Sequence, residues 1–330
     1  MSFFNYTLDL PYTKIKIKYR EINTKEQIYL AKANLSFPNT KESYIDYNNF
    51  LLSLLTNCID NFEDFKKINI VEYVLFLTKL RIISVGNTME FVMENDSKVK
   101  TKIKINLNSY LLKLYEASNF FENDENIIKN ENIEVKLNWP SLKSIDLFNE
   151  LFLKQKSEYE LLDETLQEYI DWIKISDKII NFSLFDSKQK NKLLNTLPFQ
   201  IKSKIQNKII ESLGKLLTEE LFDVGFFKEQ KFNFYNLSFL EHVKILFSND
   251  IKSLFYEVFI LSSSNISSDY IMSLSPNERK MYLSILEEQK KREDKSSSGA
   301  FDNIQDDFDP NEPSQAVKDL AFEFNDDLPK

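Results

Sequence analysis

Glycine, cysteine and histidine are scarce in this chain, and each shortage excludes a class of function. Only 4 of the 330 residues are glycine, and there is one cysteine and one histidine. Phosphate loops and dinucleotide-binding turns need glycines at fixed spacing, and the sequence contains neither pattern. One cysteine excludes an internal disulfide, which favours a reducing compartment. Cys58 and His242 cannot by themselves build a usual zinc site, and both are interpreted as packing or surface residues.

Long apolar runs and an N-terminal signal pattern are also missing, so neither a membrane span nor secretion is expected. The net charge is −9, and it is unevenly spread. From Asp294 to Lys330 there are ten acidic and three basic residues, a balance of −7, which leaves about −2 for the body. Scattered carboxylates such as Glu150, Asp163 and Glu164 are interpreted as solvated helix faces. No catalytic, cofactor or metal site is expected, and the chain is not expected to be an enzyme.

What is abundant is aromatic and aliphatic volume at helical spacing. The chain has 28 Phe and 15 Tyr. Few glycines and long stretches of 3.6-residue periodicity predict a mainly α protein with a small antiparallel β element. The predicted organisation is an N-terminal α+β domain over 1–121, a mainly helical domain over 122–293, and an acidic, disordered tail over 294–330.

The clearest element is a helix that starts after Asn69, a plausible N-cap, and runs to about Ser84. Gly86 is well placed as the residue that ends it. Hydrophobic side chains cover most of its circumference, and only Glu72 and Lys79 form a narrow polar stripe. A helix that is apolar nearly all round is predicted to be buried.

Beyond Gly86 the period of the pattern changes to two, which predicts a β-hairpin. Asn95-Asp96-Ser97 is typical turn chemistry. Folding there places Glu94 opposite Lys98 and Glu90 opposite Lys102, and on the other face Met93 opposite Val99 and Met89 opposite Ile103. Opposite charges on one face and apolar pairs on the other support this register.

Arg81 is the most informative charged residue of the body because it stands opposite Glu72 on the buried helix. Two interpretations remain open. In one, its aliphatic stem packs on the core and the guanidinium reaches water. In the other, it forms a buried ion pair or clamps backbone carbonyls and so fixes the hairpin to the helix. The Lys rows at 14–18 and 98–104 are interpreted as protection of exposed strand edges.

Further elements follow from periodicity and capping. Strands are predicted over Lys14–Arg20 and Ile133–Trp139, and helices from Asn23 or Thr24 to Ala33, from Ile45 to Ile59 and from Ser109 to Phe121. Later helical segments are predicted near 144–156, 159–181, 187–194, 199–222 and 238–261, with an uncertain aromatic connection at 223–236. Ser275-Pro276-Asn277-Glu278 is a capping box with proline at the first helical position, and it predicts a helix that ends at Lys290, Lys291 and Arg292.

The acidic end of the chain combines two features. Residues 294–315 are too polar to bury a core, so they are predicted to be a disordered linker. Residues 316–328 carry Val317, Leu320, Ala321 and Phe324 at helical spacing. Such a stripe is too short for a stable helix in water and is predicted to dock on a partner, with Leu320 and Phe324 on one helical face.

Several short runs, in order along residues 8 to 292, resemble one family. They are Leu10-Pro11, Arg20-Glu21-Ile22 with Lys25-Glu26-Gln27, Cys58-Ile59, Arg81-Ile82-Ile83-Ser84-Val85-Gly86, Leu197-Pro198, and Leu274-Ser275-Pro276-Asn277-Glu278 with Tyr282. In these runs the chain resembles the baseplate hub subunit and hub-assembly proteins of T-even-type contractile-tailed phages. The Arg81–Gly86 run resembles the family's Leu-Arg-x-x-Ser-x-Gly segment before a hairpin. The acidic tail lies outside the resemblance.

The resemblance implies a non-enzymatic phage tail protein that acts in building the baseplate hub, either as a subunit or as a chaperone. Its implied partners are other hub and tail proteins, with no small-molecule substrate and no membrane. Its implied location is the host cytoplasm during assembly, or the tail baseplate of the virion.

A competing hypothesis from another class is a phage replication or transcription accessory factor that recruits partners through its acidic tail. The tail's mixture of acidic and apolar residues suits that role, whereas the nearly neutral body has no basic, aromatic groove for nucleic acid. Binding of single-stranded DNA at low salt discriminates between the two.

Overall fold

The computed structural model describes residues 6–35, 41–94, 100–122, 126–130, 132–144, 147, 164–216, 246–247 and 251–297. These residues form a mainly helical protein with small antiparallel sheets, which confirms the predicted fold class. By contacts the chain divides into two compact units, one of residues 1–22 with 26–249 and one of 23–25 with 250–330. The predicted boundary between residues 121 and 122 falls inside the first unit. Whether the segments on either side of it fold separately stays a prediction.

The chain begins with a two-stranded antiparallel sheet of β1 (Tyr6–Asp9) and β2 (Lys16–Tyr19), as the alternation of Lys14–Arg20 predicts for its second strand. Three helices follow: α1 (Thr24–Leu35), α2 (Lys41–Cys58) and the single turn α3 (Phe62–Phe65). Ile17 and Tyr19 of β2 are fully buried while Lys16 and Lys18 face outward. The strand therefore buries one face, as period-two patterning requires.

Helix α4 (Ile70–Val85) is the buried helix that the sequence predicts, and Asn69 caps it by accepting a hydrogen bond from the Glu72 N–H at 2.9 Å. Twelve of its sixteen residues are buried, as expected for a helix whose apolar residues are distributed around its whole circumference. The prediction of a polar stripe was only half right, because Glu72 is 0% exposed. Helix α5 (Leu107–Ser118) packs against α4.

Strands β3 (Thr88–Glu94) and β4 (Lys100–Asn106) form the predicted hairpin, but the predicted register is wrong by two residues. Glu90 pairs with Lys104 instead of Lys102, and Glu94 pairs with Lys100 instead of Lys98. A shift of two preserves the alternation of the pairing, so Glu is still paired with Lys, and Met89 is still paired with an isoleucine, Ile105. Met93 pairs with Thr101 instead of Val99. Charge matching cannot separate two registers that differ by two residues, because lysines recur at every second position from Lys98 to Lys104.

A four-stranded antiparallel sheet of order β5-β6-β7-β8 completes the β structure. Its strands are β5 (Ile128–Asn130), β6 (Ile133–Leu137), β7 (Ile170–Ile175) and β8 (Lys178–Asn181). Strand β6 was predicted, but the helix predicted near 159–181 is wrong over β7 and β8. Lys136 pairs with Trp172 and Leu137 with Ile170, so Asp171 is an extra residue on β7. This bulge makes the buried positions Ile170 and Ile173 recur after three residues, a spacing that imitates a helix.

Helices α6 (Ser187–Thr196) and α7 (Phe199–Leu216) follow the sheet, and α7 packs against α5 and β5. One continuous core runs through the first unit, from Leu8 to Phe247. Among its largest fully buried side chains are Tyr73, Phe76, Phe121 and Trp139. Trp139 also donates its indole N–H to the Ala117 carbonyl at 3.0 Å, so strand β6 is fixed to the end of α5.

The second unit contains α8 (Ile251–Ser263), α9 (Ser268–Ser273) and α10 (Pro276–Ser297). The predicted capping box is present. The Glu278 N–H donates to Ser275 Oγ at 3.2 Å, and the Ser275 N–H donates to Glu278 Oε2 at 2.8 Å. Helix α10 runs five residues beyond the predicted end at Arg292, into the predicted tail. Nothing from Glu293 to Ser297 breaks a helix, and Gly299 is the first residue that does.

Several predictions fall outside the described residues. These are the hairpin turn at Asn95-Asp96-Ser97, most of the segment near 144–156, residues 217–222, the connection at 223–236, the segment from 238 with His242, and the docking segment 316–328.

Candidate functional site

Chemistry of the ordinary catalytic kinds finds little support in the described part of the chain. No group of three or more His, Cys, Asp or Glu residues there is placed to hold a metal ion. Among the same residues, no helix is long and apolar enough to cross a bilayer. Cys58 is fully buried, and burial raises the pKa of its thiol far above the ordinary value, so the nucleophilic thiolate is not formed. The informative polar groups are instead buried ones that hold backbone.

Arg81 lies inside the first unit, and the structure places it beside Gly86. Arg81 is 5% exposed, its Nη1 donates to the Gly86 carbonyl at 2.7 Å, and its Nε donates to the Leu246 carbonyl at 2.8 Å. The Gly86 N–H in turn donates to the Arg81 and Ile82 carbonyls at 3.3 and 3.1 Å. Of the two interpretations from sequence, the geometry matches the clamp on backbone carbonyls. Its contribution to stability stays a prediction.

Gly86 contributes its backbone freedom to this clamp. Its φ is 121°, a conformation that side chains with a Cβ rarely adopt, although no atom lies within 4 Å of where a Cβ would stand. Glycine is therefore required here by the backbone and not by a lack of space. The turn directs the Gly86 carbonyl back to the guanidinium. Burial lowers the pKa of Arg81 to about 10, so the side chain is still a cation at neutral pH.

A second buried cluster joins three of the runs that carry the family resemblance. Arg20 holds Glu26 through two parallel hydrogen bonds, Nη1 to Oε2 at 2.9 Å and Nη2 to Oε1 at 2.6 Å. The Cys58 thiol lies 3.7 Å from Glu26 Oε2, and the Arg20 N–H donates to the Cys58 carbonyl at 3.0 Å. Bidentate pairs of this kind fix orientation as well as adding energy. Residues far apart in sequence thus form one internal joint.

Glu72 is a buried carboxylate, which the sequence analysis placed with Lys79 on a narrow polar stripe. Its Oε1 accepts the backbone N–H groups of Tyr12 and Thr13 at 2.9 and 2.8 Å, so it holds the turn between β1 and β2. Burial raises the pKa of Glu72, and the hydrogen bonds from Thr13 and Tyr12 offset part of that rise. The available signal was a lone acidic residue on an otherwise apolar helix.

The second unit also has a buried arginine that is hydrogen-bonded, Arg279, and nothing in the sequence singled it out. It is 2% exposed, its Nε donates to Glu257 Oε2 at 2.7 Å, and its Nη1 donates to Thr24 Oγ1 at 2.8 Å. Thr24 also donates its hydroxyl and its N–H to the Leu274 carbonyl, at 2.8 and 2.7 Å. The partners of Arg279 lie 22 and 255 residues away in sequence, so no local sequence pattern could have identified them.

Four residues were proposed from sequence as structural or partner-binding, and the structure describes two of them. Arg81 and Gly86 come together in the clamp. Leu320 and Phe324 lie outside the described residues, so their role as a docking face stays a prediction.

The family model described as T4 bacteriophage base plate protein matches residues 2–219, more than half of the 330-residue chain. No curated protein and no solved structure matches this chain. The matched range contains the Arg81–Gly86 turn and the Arg20–Glu26–Cys58 cluster. The chain therefore belongs to the T4 bacteriophage base plate protein family.

Proposed function

We propose that the protein is a non-enzymatic component of the baseplate hub, acting as a hub subunit or as a chaperone of hub assembly. The observation that carries the baseplate role is the family match over residues 2–219. The narrower hub role is supported by the motif runs described above, including Leu274–Glu278, which lies beyond the matched range.

The use of the buried polar groups supports a non-enzymatic role. Arg20, Glu26, Glu72 and Arg81 are engaged with backbone groups or with one another. Arg279 is engaged with the side chains of Glu257 and Thr24. An active site would need such groups directed toward a substrate. Here they join elements of one unit, as expected for a protein that presents a rigid surface to other proteins.

The partners proposed are other baseplate hub and tail proteins of the same phage. Leu320 and Phe324 are the proposed contact residues of the tail. Because the tail is acidic, the surface that receives it is proposed to be basic, which would mainly accelerate encounter. No cofactor, small-molecule substrate or membrane is part of the proposal, and assembly takes place in the host cytoplasm.

Deletion of the gene from its phage tests the proposal. We expect infected cells to accumulate incomplete baseplates, visible by electron microscopy, and the full chain supplied from a plasmid to restore complete ones. Complete baseplates in the deletion strain would overturn the proposal. Mass spectrometry of purified virions then separates the two hub roles, because a subunit remains in the particle and a chaperone does not.

The same material tests the competing accessory-factor hypothesis. The family membership favours the baseplate, so we expect no retention of single-stranded DNA by the purified protein in a filter assay at low salt. Retention at low salt, together with normal baseplates in the deletion strain, would favour the accessory role.

A further inference from the structure

Four apolar side chains lie together on the surface of the second unit, and we refer to them as the α10 stripe: Tyr270, Met281, Tyr282 and Ile285. Met281 is 60% exposed, Ile285 is 53% exposed and Tyr270 is 47% exposed. Met281 and Ile285 are four residues apart on α10 and so share a face. The rings of Tyr270 and Tyr282 meet edge to face at 6.1 Å, and their hydroxyls lie 2.9 Å apart. Tyr282 is three residues before Ile285, so the two are neighbours on the helix surface.

Helix α10 is longer than the surface it packs on. Its buried side contributes Arg279, and Leu283 and Leu286 pack on the small core formed by Val258, Leu261 and Ile271. From Glu287 to Arg292 every residue is exposed. An isolated helical extension of this length is marginal in water without further packing. Among the described residues, the α10 stripe and the extension together present an exposed helical surface.

Residues 316–328 of the same chain have the pattern that fits this surface. Val317, Leu320 and Phe324 recur at intervals of three and four, which is the spacing of one helix packed against another. Their apolar face is too short to be stable alone. Asp319, Glu323, Asp326 and Asp327 accompany them, while the end of α10 carries basic Lys290, Lys291 and Arg292 between acidic Glu287-Glu288 and Glu293-Asp294. The fit between the two segments therefore depends on the apolar spacing.

The length of the connection also fits. Helix α10 ends at Ser297, and 315 − 297 gives 18 residues before residue 316. From Ser297 back to Ile285 is twelve residues, a rise of about 18 Å along a helix. A coil of 18 residues has a root-mean-square length of about 21–25 Å. A linker whose length is close to the span gives the highest effective concentration, of the order of millimolar.

We propose that residues 316–328 fold back as a short helix onto the α10 stripe, with Leu320 and Phe324 covering Met281 and Ile285. In the free protein this contact hides the apolar face of the tail. A baseplate partner that binds residues 316–328 has to compete with the α10 stripe for the same apolar face. The tail segment is therefore accessible only to a partner that binds it more tightly than α10 does. The contact is a property of the isolated protein and does not depend on the baseplate role.

Methyl NMR of the full chain, labelled at its methionines, tests the contact directly. The chain has five methionines, and Met281 is the reporter in the stripe, while Met89, 5% exposed in the first unit, is the internal reference. We expect the Met281 methyl signal to shift in the full chain carrying Leu320→Ala and Phe324→Ala. The matched control carries Ile304→Ala and Phe308→Ala, which removes an equivalent apolar pair from the linker and should leave the Met281 signal in place.

The reciprocal experiment observes the tail. Ile285→Ala should increase hydrogen exchange of the amides of 317–324 severalfold, whereas Leu112→Ala, a 65% exposed leucine of the first unit, should not. An unchanged Met281 signal in the Leu320/Phe324 variant overturns the proposal. A Met281 signal that moves with protein concentration also overturns it, since a second copy would then cover the stripe.

Discussion

At the scale of single residues, Arg81 donates hydrogen bonds to two backbone carbonyls, those of Gly86 and Leu246. Replacing Arg81 therefore measures what the clamp contributes to stability. We expect Arg81→Lys to reduce the free energy of unfolding by about 1–3 kcal/mol, because lysine keeps the charge but not the planar fork. Arg81→Met leaves both carbonyls without a donor and should reduce it by about 2–5 kcal/mol. Chemical denaturation measures both.

The control for Arg81 is Arg292→Lys, because the Arg292 side chain is 83% exposed and its exchange should alter stability by no more than about 0.5 kcal/mol. If Arg81→Lys and Arg81→Met both unfold with the wild-type midpoint, the clamp contributes nothing and the aliphatic stem alone explains the residue.

Glu72 should give the first unit a measurable pH dependence. Its pKa is raised above the ordinary 4.5 by burial, so the folded state binds this proton more tightly than the unfolded state. The stability that Glu72 contributes is therefore fully present below the ordinary pKa and is lost as pH rises through the folded-state pKa. Glu72→Gln keeps an oxygen that can accept from Tyr12 and Thr13 but does not titrate. We expect the unfolding free energy of wild type, relative to this variant, to fall as pH rises; parallel curves contradict the assignment.

At the scale of elements, the hairpin register can be tested by cross-linking. Cys58 is the only native cysteine and is fully buried, so an introduced pair has no competitor. We expect Glu90→Cys with Lys104→Cys to form a disulfide on mild oxidation, because residues directly opposite have Cα atoms about 4.5–5.5 Å apart.

The matched control for the hairpin is Glu90→Cys with Lys102→Cys, the pair that the register predicted from sequence places opposite each other. Two residues of offset place those Cα atoms about 8 Å apart, beyond the reach of a disulfide. Mass spectrometry under non-reducing conditions detects the loss of two hydrogens. Efficient cross-linking of the control, and none of the first pair, would restore the register expected from sequence.

Elements with local signals could be predicted, and elements defined by distant pairing could not. Asn69 and Gly86 delimit α4, and Ser275 with Glu278 caps α10, because capping is decided within four residues. Strand β7 was missed because its bulge at Asp171 gives buried residues a helix-like spacing. Strand β8 depends on a two-residue turn in which Ser176 has a φ of 54°, and serine is a weak signal for that conformation.

At the scale of the whole molecule, local contacts of the candidate site could likewise be predicted from sequence, and contacts between distant residues could not. The Arg81–Gly86 contact spans five residues and was open to prediction as a carbonyl clamp. Leu246 as the second acceptor, and Thr24 as the partner of Arg279, are 165 and 255 residues away. No periodicity connects such positions, so only the folded chain identifies them.

The tail gives a prediction for assembly by the complete protein. We expect the full chain with Leu320→Ala and Phe324→Ala to restore baseplates in the deletion strain less well than wild type, because both proposed anchors are truncated. The variant with Ile304→Ala and Phe308→Ala should match wild type. Counts of complete baseplates by electron microscopy provide the measurement. Equal restoration by both variants would make the tail a solubilising appendage.

The bond from Arg81 to the Leu246 carbonyl also imposes a delay during synthesis. The two residues are 165 positions apart. At about 5–20 residues per second, roughly 8–33 s separate their emergence from the ribosome. Throughout that interval the Leu246 carbonyl is absent, so burial of α4 would leave the Nε donor of Arg81 without this acceptor. A nascent chain that ends within the matched range, at residue 219, never receives this acceptor, so completion of the clamp reports that translation has passed residue 246.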